Sequence, residues 1–438
     1  MDQTEALIIE TIDRHREEII EFARDIYSHA ELGYKEFQTS GKFVKKMEQL
    51  GLRTEKGFAI TGVKAYLNED KKENASLALL GELDALRIPE HAFANPETNA
   101  AHCCGHHAQM AGVFGAALAL TVPEIAEKLD GQVVFFATPA EEYGEIEFKN
   151  QLREQGKIRY GGGKCELLRI GAFDDIDLCL THHIRPGNEI LVGSGTGNGF
   201  VSKVIRVLGK ASHAAGAPEK GVNALSAASL GLQALGLNRE TFRDEDCVRV
   251  HPIITKGGNL VNVIPDEVVV ETLVRGKTIE AFTDAAKKTD RSFKAGAIAM
   301  GAKVEISTLP GYLPTLAEEA LPELKHAAEI SASDIPVIEA SGHAGGSTDV
   351  GDVQHLMPVY TFNTGGVKGG LHQIDFEVTD EEEAYIVTAK MFALAAYGLL
   401  KEKAQRSREL VDQYEPVFKN SAEYVEFMEQ FDSKEIVE

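Results

Sequence analysis

The chain has 438 residues, 43% of them hydrophobic and 26% charged, and a formal net charge of −23. This length exceeds what one core usually supports, so two domains are expected, and the composition is that of a soluble globular protein. The negative charge argues against nucleic acid and anionic membranes as partners, because binding to either relies on clustered Lys and Arg.

The first twenty residues are charged throughout and lack the three parts of a signal peptide. No apolar run approaches the roughly 18 residues of a membrane span. Five cysteines are an odd number and do not form a disulfide framework. We therefore expect a cytoplasmic protein in which adjacent Cys103 and Cys104, set among histidines, serve a metal or catalysis.

Apolar residues at helical spacing predict surface helices over 4–30 and 41–50. Short apolar runs that end in polar residues come next: ASLALLGELDAL, GQVVFFATPAEE, DDIDLCLTHH and, much later, MPVYTFNTGG. Separated by helical stretches, such runs are typical of buried parallel strands. They predict an α/β sheet.

The middle of the chain has a different pattern. Between 195 and 309 the apolar residues predict strand, helix, strand, strand, helix and strand, the βαββαβ order of a ferredoxin-like unit. The α/β pattern then resumes. We therefore predict a larger domain made of 1–194 and 310–438, with a smaller domain of 195–309 inserted into it. The segment 143–175 has no assigned role, and the tail from Lys401 is predicted as amphipathic helices.

The predicted strands of the α/β sheet end in side chains that bind metals or carry protons. In open α/β sheets, ligands bind outside the carboxyl ends of the strands. The residues near these ends are Glu82, Asp84, Cys104, His106, Glu141, Glu142, His182, His183 and His372. Singly, each is more often an ordinary surface or core residue. Together, thiolate, imidazole and carboxylate suit Zn²⁺ or another borderline ion such as Mn²⁺, Co²⁺ or Ni²⁺, and they predict a metal site.

Adjacent Glu141 and Glu142 can have different tasks on an irregular loop after a strand. One carboxylate can bind the metal, while the other takes a proton from a water that the metal activates and later delivers it to the leaving nitrogen. This pair fits hydrolysis better than redox chemistry, because the sequence has no dinucleotide-binding fingerprint.

Eight strings along the chain carry a resemblance to a known family. They are, in order, HAELGYKEF, GELDAL, HCCGHH, PAEE, HIRPG, GKASHAA, NVIPD and LHQIDF. Together they resemble the M20 metallopeptidase and amidohydrolase family, particularly its aminoacylase-like branch with aminobenzoyl-glutamate hydrolases and peptidyl-amino-acid deacylases. The similarity runs from about His29 to Phe376. It implies a zinc-peptidase-like α/β catalytic domain with an inserted ferredoxin-like α+β lid and dimerisation domain.

The resemblance implies a role for each matching residue of the catalytic domain. Glu141 matches the general base, and Asp84 matches the Asp that orients a metal ligand. The metal ligands would be Cys104, His106, Glu142, His183 and His372.

In the inserted domain the resemblance implies three further roles. His213 is similar to the His that reaches across a dimer to stabilise the oxyanion. Asn262 and Arg275 are similar to groups that hold the substrate carboxylate. Family members are typically dimers, so the resemblance implies a homodimer formed through the inserted domain.

This chain departs from the family pattern at two positions beside the expected ligands. His107 stands where Asp or Asn is common, and Arg185 where the family often has an apolar or aromatic residue. The additional His102, His107 and His182 leave open whether His183 or His182 is the ligand.

The leading hypothesis is hydrolysis of an N-acyl or N-aroyl amino acid, or of a small dipeptide-like amide, by water activated by Zn or Mn, as one or two ions. The alternative enzyme is a hydrolytic deaminase, in which water attacks an aromatic carbon of an aminobenzoate and releases ammonia, as in a nitroanthranilate aminohydrolase of this family. A third hypothesis is a non-catalytic small-molecule binding protein. Degenerate members usually lose a ligand or the base, whereas this chain keeps Glu141 and Glu142. The expected partner is a small, carboxylate-bearing substrate.

Overall fold

The computed structural model describes all 438 residues. Its helices are α1 Gln3–Arg14, α2 Arg16–Ser28, α3 Phe37–Gln49, α4 His106–Leu120, α5 Pro123–Ala126, α6 Ile146–Glu154, α7 Gly163–Arg169, α8 Ala224–Asn238, α9 Ile279–Met300, α10 Pro322–Ser331, α11 Val350–Gln354, α12 Thr388–Gln413 and α13 Ser421–Glu429. Its longer strands are β1 Arg53–Phe58, β2 Gly62–Leu67, β3 Ser76–Glu82, β4 Gln132–Thr138, β5 Leu178–Ile184, β6 Ile190–Val192, β7 Gly199–Leu208, β8 Ile253–Lys256, β9 Glu267–Gly276, β10 Lys303–Pro310, β11 Val337–Glu339, β12 Val359–Thr364 and β13 Ser433–Val437. Two-residue strands lie at Leu86–Arg87, Ala100–Ala101, Thr196–Gly197, Arg249–Val250, His343–Ala344, Val367–Lys368 and Glu377–Val378.

Contacts divide the chain into two compact units. The first unit comprises Met1–Gly195, Leu316–Gly342 and Asp352–Ser421. The second unit comprises Thr196–Thr315, His343–Gly351 and Ala422–Glu438. The second unit therefore contains two pieces of chain beyond the predicted inserted segment, a short loop and the end of the tail.

The first unit is built on an eight-stranded sheet with the order β1-β2-β4-β3-β5-β12-β6-β11. Its four central strands, β4, β3, β5 and β12, run parallel, as predicted from their apolar runs. Every residue of β3 and β4 is buried, which explains why these strands read as continuous apolar stretches rather than as alternating ones. The outer strands β1, β2, β6 and β11 were not predicted.

Helix α4 lies in the core of the first unit and fixes the start of the candidate site. All fifteen of its residues are buried, and such a helix is apolar on every side. A Cβ on Gly112 or Gly115 would lie 2.5 Å from Thr388 Cγ2 or Ala389 Cβ, respectively, so these glycines let α12 approach closely. The resulting helix pair holds the first residue of α4, His106, in a rigid position.

The helical segment Glu382–Gln413, which contains α12, is long and apolar enough to cross a membrane by length and composition. The sequence-based search for a long apolar run missed it. However, 89% of its most apolar window is buried inside the protein. The core helix of a soluble protein passes the same test, so the segment is weak evidence for a membrane span.

The second unit has the predicted βαββαβ order in β7, α8, β8, β9, α9 and β10. Its strands pair antiparallel, with β7 between β9 and β10 and with β8 beside β9. Strand β9 buries alternate residues, so one face of the sheet packs on α8 and α9.

The end of the tail differs from the prediction of helices throughout. The backbone is non-helical from Lys401 to Ala404, where α12 is kinked. The tail is helical from there to the end of α12 and again in α13, but its last residues form strand β13. This strand pairs antiparallel with β10, from Val304 opposite Val437 to Thr308 opposite Ser433. The helical prediction was wrong there because the strand depends on a partner more than a hundred residues away.

Candidate metal centre and active site

Metal-binding side chains from separate elements meet at the carboxyl edge of the parallel strands. His183 lies near the end of β5, and Glu141 and Glu142 follow β4. Cys104 and His106 lie at the start of α4. Three groups of donor atoms each fall within 4.8 Å of one another: Cys104, His106 and His183; Cys104, Glu142 and His372; and Glu82, His106 and Glu141.

Gly105 sets the geometry of the Cys104-Gly105-His106 segment. It precedes α4 with a φ of +84°, a left-handed conformation that favours glycine. A Cβ at this position would lie 2.0 Å from Ile184 Cγ2, so no side chain fits there. The tight turn places Cys104 and His106 on the same side of the sheet edge.

Asp84 orients two of the predicted ligands. Its backbone carbonyl lies 2.8 Å from His106 Nδ1, and its carboxylate accepts a hydrogen bond of 2.9 Å from the Glu142 backbone N–H. Because a carbonyl oxygen can only accept, the Nδ1 of His106 carries the proton and Nε2 of a neutral ring keeps its lone pair. His106 Nε2 is buried without a hydrogen-bond partner, as a metal-binding nitrogen would be before binding.

The loop that carries Glu141 and Glu142 is held in a strained conformation. Ala140 has a φ of +49°, and its backbone N–H donates to Glu36 Oε1 at 2.8 Å. Its carbonyl accepts from Gly163 N at 2.9 Å. These two hydrogen bonds hold the turn in one conformation, in which the carboxylates of Glu141 and Glu142 lie in different places. Glu141 Oε2 lies 4.0 Å from His106 Nε2, whereas Glu142 Oε1 lies 3.0 Å from His372 Nε2.

His372 completes the second donor group from a loop after β12. Its Nε2 lies 3.0 Å from Glu142 Oε1 and 3.3 Å from Cys104 Sγ. Its backbone has a φ of +62° and its N–H donates to Cys103 O at 2.9 Å. Half of this side chain is exposed, so the donor group opens toward solvent on this side.

The donor set fits divalent cations, with Cys104 shared between two groups of three. Cys104 Sγ lies 3.3 Å from His183 Nε2 and 3.3 Å from His372 Nε2. Donors bound to one Zn²⁺ at about 2.0–2.3 Å are separated from each other by roughly 3–3.5 Å. Three buried atoms in this region have no hydrogen-bond partner: Asp84 Oδ1, His106 Nε2 and Glu142 Oε1.

The protonation tendencies of these donors follow from burial and neighbouring charge. Burial raises the pKa of the Cys104 thiol well above its usual value, and the Glu142 carboxylate raises it further. Burial lowers the pKa of His183, and His106 adds to that effect. Burial opposes ionisation of Glu142, but the close contact with His372 lowers the pKa of Glu142 overall. A cation would favour the thiolate that burial alone disfavours.

The structure separates His183 from His182, because successive side chains of a strand point to opposite faces. His183 Nε2 contacts Cys104, and its Nδ1 lies 2.8 Å from the Ile184 carbonyl. His182 instead lies 2.8 Å from Thr364 Oγ1 and packs against Phe362. His183 is therefore the histidine of this pair that meets the donor group.

His102 and His107 lie next to the donor residues in sequence but belong to another cluster. Their rings are 5.5 Å apart, and His107 packs against Tyr27 at 4.7 Å and against Tyr385 at 5.7 Å. None of their ring nitrogens has a hydrogen-bond partner. Neither histidine belongs to a metal-binding group.

In the second unit, His213 and Asn262 lie on adjacent loops. Ala214 N donates to the Asn262 carbonyl at 3.0 Å, and His213 forms a bridge with Val263. The backbone N–H of Gly216 donates to His213 Nδ1 at 3.0 Å. Nδ1 is thus the acceptor, and the Nε2 of the neutral ring carries a proton that it can donate. Both side chains are exposed.

Arg275 lies near the end of β9 in the same unit. Its Nη1 donates to Ser347 Oγ at 2.8 Å, and its guanidinium lies over the Phe200 ring at 5.3 Å from the centroid. These contacts hold a half-buried cation in a defined orientation, which suits recognition of a carboxylate.

The sequence analysis missed the side chains that surround Glu82. Lys164 Nζ lies 2.6 Å from Glu82 Oε1, and Gln109 Nε2 donates to Glu82 Oε2 at 2.8 Å. Lys164 comes from the segment 143–175, to which no role was assigned. The spacing of GGGK fits no phosphate loop, and no other local pattern points to this pair.

Comparisons with known proteins give one matching family model and several similar proteins. The model of peptidase family M20/M25/M40 matches residues 78–397. The Xaa-Arg dipeptidase of Mus musculus is 27% identical over 408 residues, covering 90% of this chain and 85% of the relative. The N-acetyl-L-cysteine deacetylase of Bacillus subtilis is 25% identical over 403 residues, covering 89% and 90%. A solved structure described as a dinuclear metal binding peptidase of the M20 family from Bacillus subtilis has a similar fold, with a TM-score of 0.62 and 24% identity over 89% of this chain and 99% of that one.

Proposed function

Since this chain belongs to peptidase family M20/M25/M40, we propose that it hydrolyses the amide bond of an N-acyl or N-aroyl amino acid, or of a small dipeptide-like substrate. It is accordingly a metal-dependent hydrolase that acts on carbon–nitrogen bonds. The observation that carries the proposal is the position of Cys104, whose sulfur belongs to two donor groups, with Glu141 in the third group beside them.

We propose two divalent ions, Zn or Mn, as the metals. Cys104, His106 and His183 would hold one, and Cys104, Glu142 and His372 the other. When bound, a divalent cation polarises a carbonyl oxygen and lowers the pKa of water toward about 7. The mixed thiolate, imidazole and carboxylate set supports either metal.

Glu141 is the proposed proton carrier. Its side chain is nearly buried and is grouped with His106 and Glu82. From there its carboxylate takes the proton of the attacking water and delivers it to the leaving nitrogen, which departs as an amine. Asp84 keeps His106 and Glu142 oriented during this transfer through its two hydrogen bonds.

The second unit supplies the proposed contacts to substrate. His213 Nε2–H donates to the oxygen on which negative charge develops when the carbonyl is attacked. Asn262 and Arg275 bind the carboxylate of the amino-acid part, Arg275 through its fixed guanidinium.

We also propose a homodimer formed through the second unit, in the cytoplasm. Leu260, Val261 and Ile253 of that unit are largely exposed apolar side chains, and such side chains are common in subunit interfaces. Val261 lies next to Asn262, so an interface there would bring the partner subunit close to the proposed substrate contacts. All five cysteines are free thiols, which supports a reducing compartment.

A substrate panel with three proteins tests the proposal. The panel holds N-acetyl and N-benzoyl amino acids, aminobenzoyl-glutamate, dipeptides ending in Arg, and aminobenzoates. We expect the wild type to release a carboxylic acid and an amine, and Glu141→Gln to lower kcat by about 10²–10⁴-fold with its metal content intact. Glu154→Gln, an exposed change on α6, is the matched control and should be as active as the wild type.

Two outcomes would contradict the proposal. Equal rates for Glu141→Gln and the wild type would remove Glu141 as proton carrier. Release of free ammonia from an aminobenzoate, with no cleavage of any amide in the panel, would replace amide hydrolysis by deamination.

A further inference from the structure

Glu82 presents a carboxylate to the same space as the predicted metal ligand His106. It is the last residue of β3, and its side chain is buried. Glu82 Oε2 lies 3.1 Å from His106 Nε2, and both atoms lie within 4.8 Å of a carboxylate oxygen of Glu141.

The contact between Glu82 and His106 does not have the geometry of a hydrogen bond. His106 Nε2 is buried and has no hydrogen-bond partner, although Glu82 Oε2 is 3.1 Å away. The two atoms therefore lie side by side rather than donor to acceptor. Since the Nδ1 of His106 holds its proton toward the Asp84 carbonyl, the facing atoms of a neutral ring and a carboxylate both carry lone pairs. Two such atoms repel each other unless a proton or a metal cation lies between them, and about 3 Å is the separation of two ligands on one ion.

The surroundings hold Glu82 ionised and in one orientation. Gln109 donates from Nε2 to Glu82 Oε2 at 2.8 Å and accepts the Glu82 backbone N–H at 2.9 Å. Lys164, which is fully buried, binds Glu82 Oε1 at 2.6 Å. The Lys164 ammonium also supplies a buried positive charge beside the Glu82 carboxylate.

We propose that Glu82 is an additional carboxylate ligand of the cation bound through His106, with which it shares a donor group, and that it shifts the preference of this position from Zn²⁺ toward Mn²⁺. The inference rests on the proposed metal centre and adds a donor to it. Thiolate and imidazole suit Zn²⁺ in a four-coordinate site, whereas carboxylate oxygens suit Mn²⁺, which takes more ligands. Lys164 is a positioning residue, because it acts on the metal only through Glu82.

Metal binding to the stripped protein tests the proposal without measuring activity. Mn²⁺ and Zn²⁺ are titrated by chelator competition into the wild type, Glu82→Gln, Lys164→Met and Asp175→Asn. Asp175→Asn is the matched control, because Asp175 pairs with Lys64, another buried lysine of the first unit. Expected results are an affinity for Mn²⁺ about ten- to hundredfold weaker in Glu82→Gln, with a smaller loss for Zn²⁺, and no change in the control.

The Lys164→Met variant distinguishes two roles for Glu82: a metal ligand, or only the partner of Lys164 in a structural ion pair. Lys164→Met removes the positive charge that neutralises Glu82 in the metal-free protein. If Glu82 binds the cation, the cation alone then neutralises this carboxylate, so the affinity for Mn²⁺ rises. The metal-free variant should unfold at a lower temperature than the wild type. Equal affinities of Glu82→Gln and the wild type for both ions, or a Lys164→Met protein that binds Mn²⁺ no more tightly, would overturn the proposal. If Glu82→Gln does not fold, the Mn²⁺ affinity of Lys164→Met tests the proposal by itself. A wild type that binds neither ion would instead refute the metal centre itself.

Discussion

The two units carry their functional side chains in contrasting ways. In the first unit, three donor residues are buried after a strand or at the start of a helix: Cys104, His106 and Glu141. Each of them packs against other members of the donor groups. In the second unit, His213 and Asn262 are exposed on loops. The groups proposed to hold metal and move protons are thus preorganised in a buried site, whereas those proposed to hold substrate lie where sequence change is tolerated. We infer that the first unit fixes the reaction and the second unit adjusts its substrate.

The largest expected effect in the first unit is loss of the shared donor. Cys104→Ala removes a ligand from both groups of three, so we expect loss of stoichiometric metal and a fall in activity beyond the roughly 10²–10⁴-fold effect expected for loss of the base. Metal analysis of the purified protein, together with assay, measures both.

Cys103→Ala is the matched control for that change. Cys103 is the adjacent residue, is also buried, and burial raises its thiol pKa to about 12. Its sulfur belongs to none of the donor groups, and the substitution keeps the backbone carbonyl that accepts from His372, so the variant should keep its metal and lose only about 1 kcal/mol of stability. If both cysteine variants lost metal equally, the contrast between the two thiols would be wrong.

A smaller effect is expected for the oxyanion donor of the second unit. His213→Ala should lower kcat by about 10²–10³-fold while metal content stays unchanged, because only a donor to the transition state is removed. His251→Ala, an exposed histidine of the same unit, is the control and should have wild-type kinetics. Loss of metal in His213→Ala would contradict the division of labour between the units.

The smallest effect is expected for the carboxylate contact. Arg275→Met should raise KM about ten- to hundredfold for substrates with a free carboxylate and leave kcat nearly unchanged, because a charged hydrogen bond is worth about 1.5–3 kcal/mol. Arg249→Met is the control, since Arg249 lies opposite Arg275 on the neighbouring short strand and is exposed. Esters or amides of the same substrates should not distinguish Arg275→Met from the wild type; if they did, the carboxylate would not be what Arg275 binds.

Much of this site was predictable because its residues sit at the ends of strands whose apolar pattern is strong. The buried run before Glu82 and the one before Glu141 mark two parallel strands, and parallel strands bring their carboxyl ends together. The choice of His183 over His182 needed the structure. Alternation along β5 puts the two side chains on opposite faces, but the sequence does not say which face holds the site.

Other features depend on contacts between distant segments and leave no local pattern. Lys164 meets Glu82 across 82 positions of the chain, and its GGGK setting points to nothing by itself. Strand β13 forms only against the edge of β10, and its short sequence alternates too briefly to predict a strand. Tertiary pairing decides both, so periodicity could not reveal them.

The most direct test of the central claim is anomalous X-ray diffraction from crystals of the protein loaded with Mn²⁺ or Zn²⁺, recorded on both sides of the metal's absorption edge. We predict two peaks that share Cys104 Sγ as a ligand, one also bound by His106 and His183, the other by Glu142 and His372. Peaks found only elsewhere, with none at bonding distance from Cys104 Sγ, would contradict it.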